Sequence, residues 1–353
     1  MEQVSAREVS QMLAQRIEDV AALCLPNGSR DGHEWCVGSI DGEPGQSLRI
    51  HLSGTKAGWW IDFSNRDSKG DALDLVCRSM FAGDRKQGYK WALSYLGLAR
   101  ADDTAIRRAR KKAQETRRAK EQQAQDDAAK NARRAKGLWL SGQPDITATP
   151  AADYLAARGI DMTRLARRPS ALRYSAQTWC RERQAKTPAM LACATNDSGE
   201  IVSCHRTYLH HRPDWTWAKA PVKEPKLSFG KFFGAAIRLQ RGESGKPWNK
   251  MPEGDTVAIA EGIEDALTIA LLQPTWRVIS AISLSNMANI RFPVWTHLVV
   301  VADNDTKPDA VKGFDRLMAR LSQTEHMVSI ARAPAPHKDW NAYLMAEKGL
   351  VAA

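Results

Sequence analysis

No stretch of about 18 apolar residues occurs in the 353-residue chain, so no segment is expected to cross a membrane as a helix. The first residues, Met1-Glu2-Gln3-Val4-Ser5, lack a basic segment followed by an apolar one. A secretory leader is therefore not expected, and the expected location is the cytoplasm. Cysteine is sparse and scattered: Cys24, Cys36, Cys77, Cys180, Cys193 and Cys204 form no C-x-x-C pair, which excludes a disulfide framework and points to reduced thiols. There is no G-x-x-x-x-G-K-[ST]. Gly242-Glu-Ser-Gly245-Lys246-Pro has the wrong spacing, so no P-loop motor is expected. Neither G-x-S-x-G nor H-E-x-x-H is present.

Glycine and proline are also missing from one long stretch, Arg100 to Lys136, which has almost no large apolar residue. Thirteen Lys/Arg stand there against six Asp/Glu, so it carries +7 of the chain's +11. Ala, Gln, Arg, Lys and Glu dominate, all good helix formers. A helix polar all round buries no face and is expected as a solvated spacer. Arg107, Arg108, Arg110, Lys111, Lys112, Arg117 and Arg118 would also suit a polyanionic partner. This basic helical linker, 99–140, separates a first domain, 1–98, from the rest. Hydrophobic residues make up 43% of the chain, enough for ordinary cores.

The most telling residues lie near the C-terminus. Thr256-Val-Ala-Ile-Ala260 and Leu298-Val-Val-Val-Ala302 are short apolar runs of the kind that form parallel strands covered on both faces. Each runs directly into carboxylates: Glu261 and then Glu264 after the first, Asp303 and Asp305 after the second. A βαβ unit would bring the two strand ends side by side. Three clustered carboxylates repel one another unless a cation or shared proton holds them. An all-oxygen set suits Mg²⁺ or Mn²⁺, and Mg²⁺ held by few carboxylates usually serves phosphate chemistry.

These residues resemble the Toprim domain of bacterial primases, topoisomerases and some nucleases, in which a Glu follows the first strand and a D-x-D follows a later one. Glu261 matches the Glu, and Asp303 and Asp305 match the D-x-D. Lys338-Asp339-Trp340-Asn341 is similar to the tail motif of primase-like Toprim proteins found on phages, plasmids and other mobile elements. The position after it, usually acidic there, is Ala342 here. The resemblance implies an α/β Toprim domain with a parallel-sheet core over 253–353. Glu261, Asp303 and Asp305 would be its catalytic metal ligands, with Glu264 and Asp339 behind them and Lys307 on a phosphate.

The middle segment, 141–252, reads as α+β. Pro150 to Gly159 spans a helix, and Met190–Thr195 and Ile201–Leu209 are strands joined by a turn at Asn196-Asp-Ser-Gly199. Lys226 to Arg238 is a glycine-punctuated basic and aromatic stretch. By likeness to the region before Toprim in primases, Arg206, Lys219, Lys226 and Lys231 are expected to contact nucleic acid or nucleotide. His205, His210 and His211 lack ligand spacing and read as strand and loop residues.

In the first domain, Val4–Leu25 has helical spacing. Glu34–Gly38, Ser47–Leu52 and Gly58–Phe63 alternate as strands, and Gly70-Asp71 opens a helix. This order is similar to the zinc-binding domain of bacterial primases, giving a small α+β, zinc-ribbon-like fold. The Cys pairs of that family are replaced here by Trp59-Trp60-Ile-Asp62-Phe63, so no structural zinc is expected. Trp35, Trp59, Trp60 and Phe63 are expected in the core, and stacking on single-stranded nucleic acid is the alternative. Taken together, the resemblance implies metal-dependent, primase-like nucleotidyl transfer on single-stranded DNA with nucleoside triphosphates, next to a separate replicative helicase. A Toprim-type nuclease and a non-catalytic single-strand-binding helicase adaptor remain open beside it.

Overall fold

A computed structural model describes residues 4–65, 68–99 and 103–350. Contacts divide the chain into two units, Met1–Asp127 and Ala128–Ala353.

The first unit starts with α1 (Ala6–Ala14) and α2 (Ile17–Cys24). Ser5 and Glu8 form a reciprocal capping box at the start of α1. The spacing of Val4–Leu25 predicts one helix, but Arg16 leaves the helical region at φ −118°, ψ 28°. Val9, Leu13, Ile17, Val20 and Cys24 stay buried across the break, so the apolar period continues through it. A five-stranded antiparallel sheet follows: β1 (Ser29–Asp31), β2 (Glu34–Val37), β3 (Leu48–His51), β4 (Trp60–Asp62) and β5 (Lys69–Gly70), in that order. α3 (Ala72–Phe81) and α4 (Arg85–Tyr95) close it. Asp71 caps α3 by accepting from the N–H groups of Leu73 and Asp74.

The expected aromatic core divides: Trp35 is half-buried against the core cluster. Trp60 is fully buried and its Nε1 donates to the Asp71 carbonyl at 3.1 Å, while Trp59 and Phe63 face solvent. Trp60 thereby ties the sheet to the start of α3. His33 pairs with Ser53, and all six cysteines of the chain are free and buried.

The helix α5 (Asp103–Leu140) is the basic stretch. Its last turns cover one face: Ala135 is buried, and the Trp139 Nε1 donates to the Ala171 carbonyl at 2.8 Å under the Arg173 guanidinium. After it come α6 (Pro150–Ala157), then β6 (Leu172–Cys180), β7 (Ala185–Thr195), β8 (Ile201–His211), β9 (Trp217–Lys219) and β10 (Lys226–Gly230). These strands pair antiparallel in the order β10-β8-β7-β6, with β9 also on β8. The turn after β7 is closed by Asn196, whose Oδ1 accepts from the Glu200 N–H, with Gly199 at φ 85°.

The next strand, β11 (Ile237–Arg241), leaves this sheet and joins the last one. That sheet also contains β12 (Thr256–Ala260), β13 (Arg277–Ser280), β14 (His297–Ala302) and β15 (Met327–Arg332), in the order β11-β13-β12-β14-β15. All its pairs are parallel except β11 with β13. Its helices are α7 (Ile263–Leu272), α8 (Leu284–Met287), α9 (Pro308–Leu321) and α10 (Trp340–Glu347). The segment rejected above as a P-loop is a brace, because the Arg277 guanidinium donates to the Ser244 hydroxyl and the Lys246 carbonyl.

Candidate active site

The chain leaves β12 through α7 to β13 on one side, then returns to β14 on the other. Such a reversal opens a crevice at the C-terminal ends of the two central strands, where α/β sheets bind ligands. Ile259 lies opposite Val300, so Glu261 and Asp303 leave adjacent strands almost level. Glu261 stands at the mouth of the cleft, where the Leu284 N–H donates to its carboxylate. The protein packed around it, and next the Asp303 carboxylate, push its carboxyl above the usual range. Asp303 is likewise raised, by burial first and then by Asp339. Among the described residues neither carboxylate makes an ion pair. The ammonium groups of Lys226 and Lys338 favour the charged form of both.

Asp305, the other member of the D-x-D, accepts from the Lys307 N–H at 3.0 Å. Asn304 between them braces the loop. Its N–H donates to the Lys338 carbonyl and its side-chain amide to the carbonyls of Ala333 and His337. This brings the Lys338-Asp339 segment against the cleft. Asp339 caps α10, accepting from the Ala342 N–H at 2.7 Å. The position where an acid was expected thus supplies a backbone donor.

Asp265 is the residue that sequence reasoning undervalued. In the first turn of α7, it accepts from the Asn341 N–H at 3.0 Å, and burial, followed by Asp339, lifts its carboxyl to about 7. Glu261 precedes the extended N-cap Gly262 and lies outside the helix, so no helical spacing links the two acids in the sequence.

Glu264 lies deeper and is fully enclosed. Its carboxylate accepts from the Tyr154 hydroxyl at 2.5 Å and pairs with Lys219 at 3.1 Å and Lys226 at 2.9 Å. Burial alone would raise this carboxyl. The two ammonium groups and the tyrosine outweigh it and hold Glu264 well below the carboxylate range. Gly262 is the N-cap of α7, with extended backbone at φ −89°, ψ 158°.

Strand register sorts the basic residues. Lys226 lies opposite Thr207 and Lys219 opposite Leu209, so both lysines share the sheet face that meets α7. Arg206 alternates to the other face, where its guanidinium lies over the Tyr208 ring. Lys231 is exposed in the loop after β10, and Lys307 is exposed ahead of α9. Lys219 and Lys226 are therefore brought together behind the carboxylates, and Arg206 is not.

His205 shares the lysine face, buried and bonded to the Ser228 hydroxyl at 2.9 Å. Burial, then Lys226, depress it from 6.5 to about 4. Unfolded, this imidazole takes a proton near pH 6.5; folded, it resists until about pH 4. Its contribution is complete above pH 6.5 and is lost as pH falls through that window. His205→Gln is expected to remove roughly 3 kcal/mol of acid sensitivity between pH 7 and pH 4. Urea midpoints of both proteins across that range test this, and parallel pH profiles would refute it.

Among the described residues no three His, Cys, Asp or Glu side chains form a ready-made ion cage. The carboxylates gather in pairs. An all-oxygen set of mutually repelling carboxylates at an open cleft is chemically suited to Mg²⁺ or Mn²⁺, because such ions often take one or two carboxylates and complete their shell with water and phosphate.

Residues 256–349 match the Toprim domain family model, and residues 129–239 match a domain of unknown function. No curated protein matches the chain. Among solved structures, the primase fragment of the bacteriophage T7 primase-helicase protein is 18% identical, covers 56% of this chain and 69% of that one, and superposes with a TM-score of 0.35. The Aquifex aeolicus primase, with zinc-binding and RNA polymerase domains, is 11% identical over 96% of this chain and 82% of its own, at a TM-score of 0.33. The RNA polymerase domain of the Mycobacterium tuberculosis primase DnaG is 16% identical over 64% and 79%, at 0.36. On the match at 256–349, around the strand-end carboxylates, this region of the chain is a Toprim domain.

Proposed function

We propose that this chain is a metal-dependent nucleotidyltransferase that builds short primers on single-stranded DNA in the replication of a mobile element. One observation carries the reading: Glu261 and Asp303 converge at the reversal of strand order with Lys226 and Lys338 beside them. Glu261 and Asp303, joined by Asp305, would hold Mg²⁺ or Mn²⁺. Bound there, the ion would orient a triphosphate and offset charge on departing pyrophosphate. The protein's own groups do the rest. Asn304 fixes the acidic loop, Lys226 and Lys338 offer positive charge to an anionic substrate, and Glu264 fixes the Lys226 ammonium behind the carboxylates.

The test incubates the full chain with single-stranded DNA, labelled nucleoside triphosphates and Mg²⁺ or Mn²⁺. New short oligonucleotides that depend on template and metal are the expected result. Shortened template with no new product would transfer the site to phosphodiester hydrolysis, and strand binding with neither product would leave an adaptor.

A further inference from the structure

The hairpin joining β8 to β9 has no part in the cleft, yet it carries the most exposed large hydrophobic side chain among the described residues. Trp215 is 83% exposed. Its backbone sits at φ 64°, a region that bulky residues rarely occupy. The loop around it is closed tightly. The Arg212 N–H donates to the Thr216 carbonyl at 2.8 Å, and Asp214 accepts from both the N–H and hydroxyl of Thr216. The indole is thus held out into water by a short braced loop rather than hanging on a loose one. Beside it, His211 lies between two indoles, its ring centroid 5.2 Å from Trp215 and 5.2 Å from Trp217.

We propose that Trp215, His211 and Trp217 form a stacking site for an unpaired base of single-stranded nucleic acid. The inference rests on the reading of the adjacent cleft as a nucleic-acid site and adds a second point of grip to it. Three arguments favour a base over a protein side chain. The tip, from His210 to Lys219, carries no Leu, Ile, Val or Met, so an apolar partner surface would find little to bury against. Its available charge is the Arg212 guanidinium, since the Asp214 carboxylate is occupied within the loop. The ribbon also leads to the carboxylates. Trp217 and Lys219 share one face of β9, about 7 Å apart by strand geometry, and Lys219 pairs with Glu264 on the helix that follows Glu261. Aromatic faces interleaved with positive charge are what sequence-tolerant single-strand binding uses.

The substitution that tests this is Trp215→Gly, because glycine suits φ 64° and should not cost stability. Binding of fluorescein-labelled oligo(dT) by the full chain is read by anisotropy without nucleotides or metal. The expected result is an affinity roughly 10-fold weaker for Trp215→Gly at an unchanged or higher Tm, with Trp215→Phe near the wild type. The same strand made abasic should bind wild type and Trp215→Gly alike. Equal affinity of wild type and Trp215→Gly for oligo(dT) overturns the proposal. An equal loss on the abasic strand also overturns it, since the contact would then be to the backbone. A wild type that binds no single strand removes this site and the proposed function together. Failure of primer synthesis alone removes only that function and leaves this affinity measurement standing.

Discussion

Replacing Asp303 by asparagine is expected to lower templated nucleotide addition by roughly 10³-fold, about 4 kcal/mol of barrier. Asp303 is raised by burial and by the neighbouring Asp339, which means that its charge is unwelcome until a cation arrives. Asparagine keeps the shape and removes the charge. The loop should survive, because Asn304 and the Arg332 contact to the Asp303 carbonyl hold its backbone. A cation that binds only the folded protein raises its Tm. The wild type should therefore gain Tm on addition of Mn²⁺, and Asp303→Asn should gain little. Undiminished synthesis by Asp303→Asn, or an equal Mn²⁺ shift in both proteins, would move the metal away from this strand end.

The carboxylates were legible in the sequence because they directly follow apolar runs. A run covered on both faces can only be an interior strand, and the residue after it must stand at the sheet's end. That logic reaches Glu261 and Asp303, and it fails for Asp265, whose position inside α7 reads equally as an acidic first turn. What distinguishes it is Asn341, a contact from the far end of the sequence. The same limit explains Arg206. Its neighbours Lys219 and Lys226 are equally basic, and only the pairing register of β8 puts it on the opposite face. The break between α1 and α2 left no trace because the apolar spacing passes through it unchanged. The strand β11 was hidden by its setting: Ile237-Arg-Leu-Gln-Arg241 follows the glycine-rich loop closely, and nothing local says that it pairs with β13, whose own sequence lies past α7. Trp60 and Trp59 are adjacent, so strand alternation required that only one face the core, and which one depended on α3.

The other large effect is expected at Glu264. Glu264→Ala leaves the Lys219 and Lys226 ammonium groups partly buried with no counter-charge, and removal of one partner from such a network typically costs about 3–5 kcal/mol. Urea unfolding of the intact chain measures it, and a loss under about 1 kcal/mol would refute the reading. Stability alone does not account for the network, however. Desolvating three charged groups is expensive, and apolar residues of similar volume often serve as well or better. The combination Glu264→Leu, Lys219→Met, Lys226→Met and Tyr154→Phe should thus fold with stability close to wild type. It should still fail at nucleotide addition, because Lys226 is the ammonium that reaches both Glu264 and the neighbourhood of Glu261 and Asp303. Glu264→Asp, which keeps the charge but shortens the reach, should recover part of the activity lost in Glu264→Ala. If the apolar combination adds nucleotides at the wild-type rate, the network is only structural. If it folds and is inactive, the buried carboxylate is there to aim a lysine, and its cost in desolvation is borne by the cleft's need for a fixed positive charge.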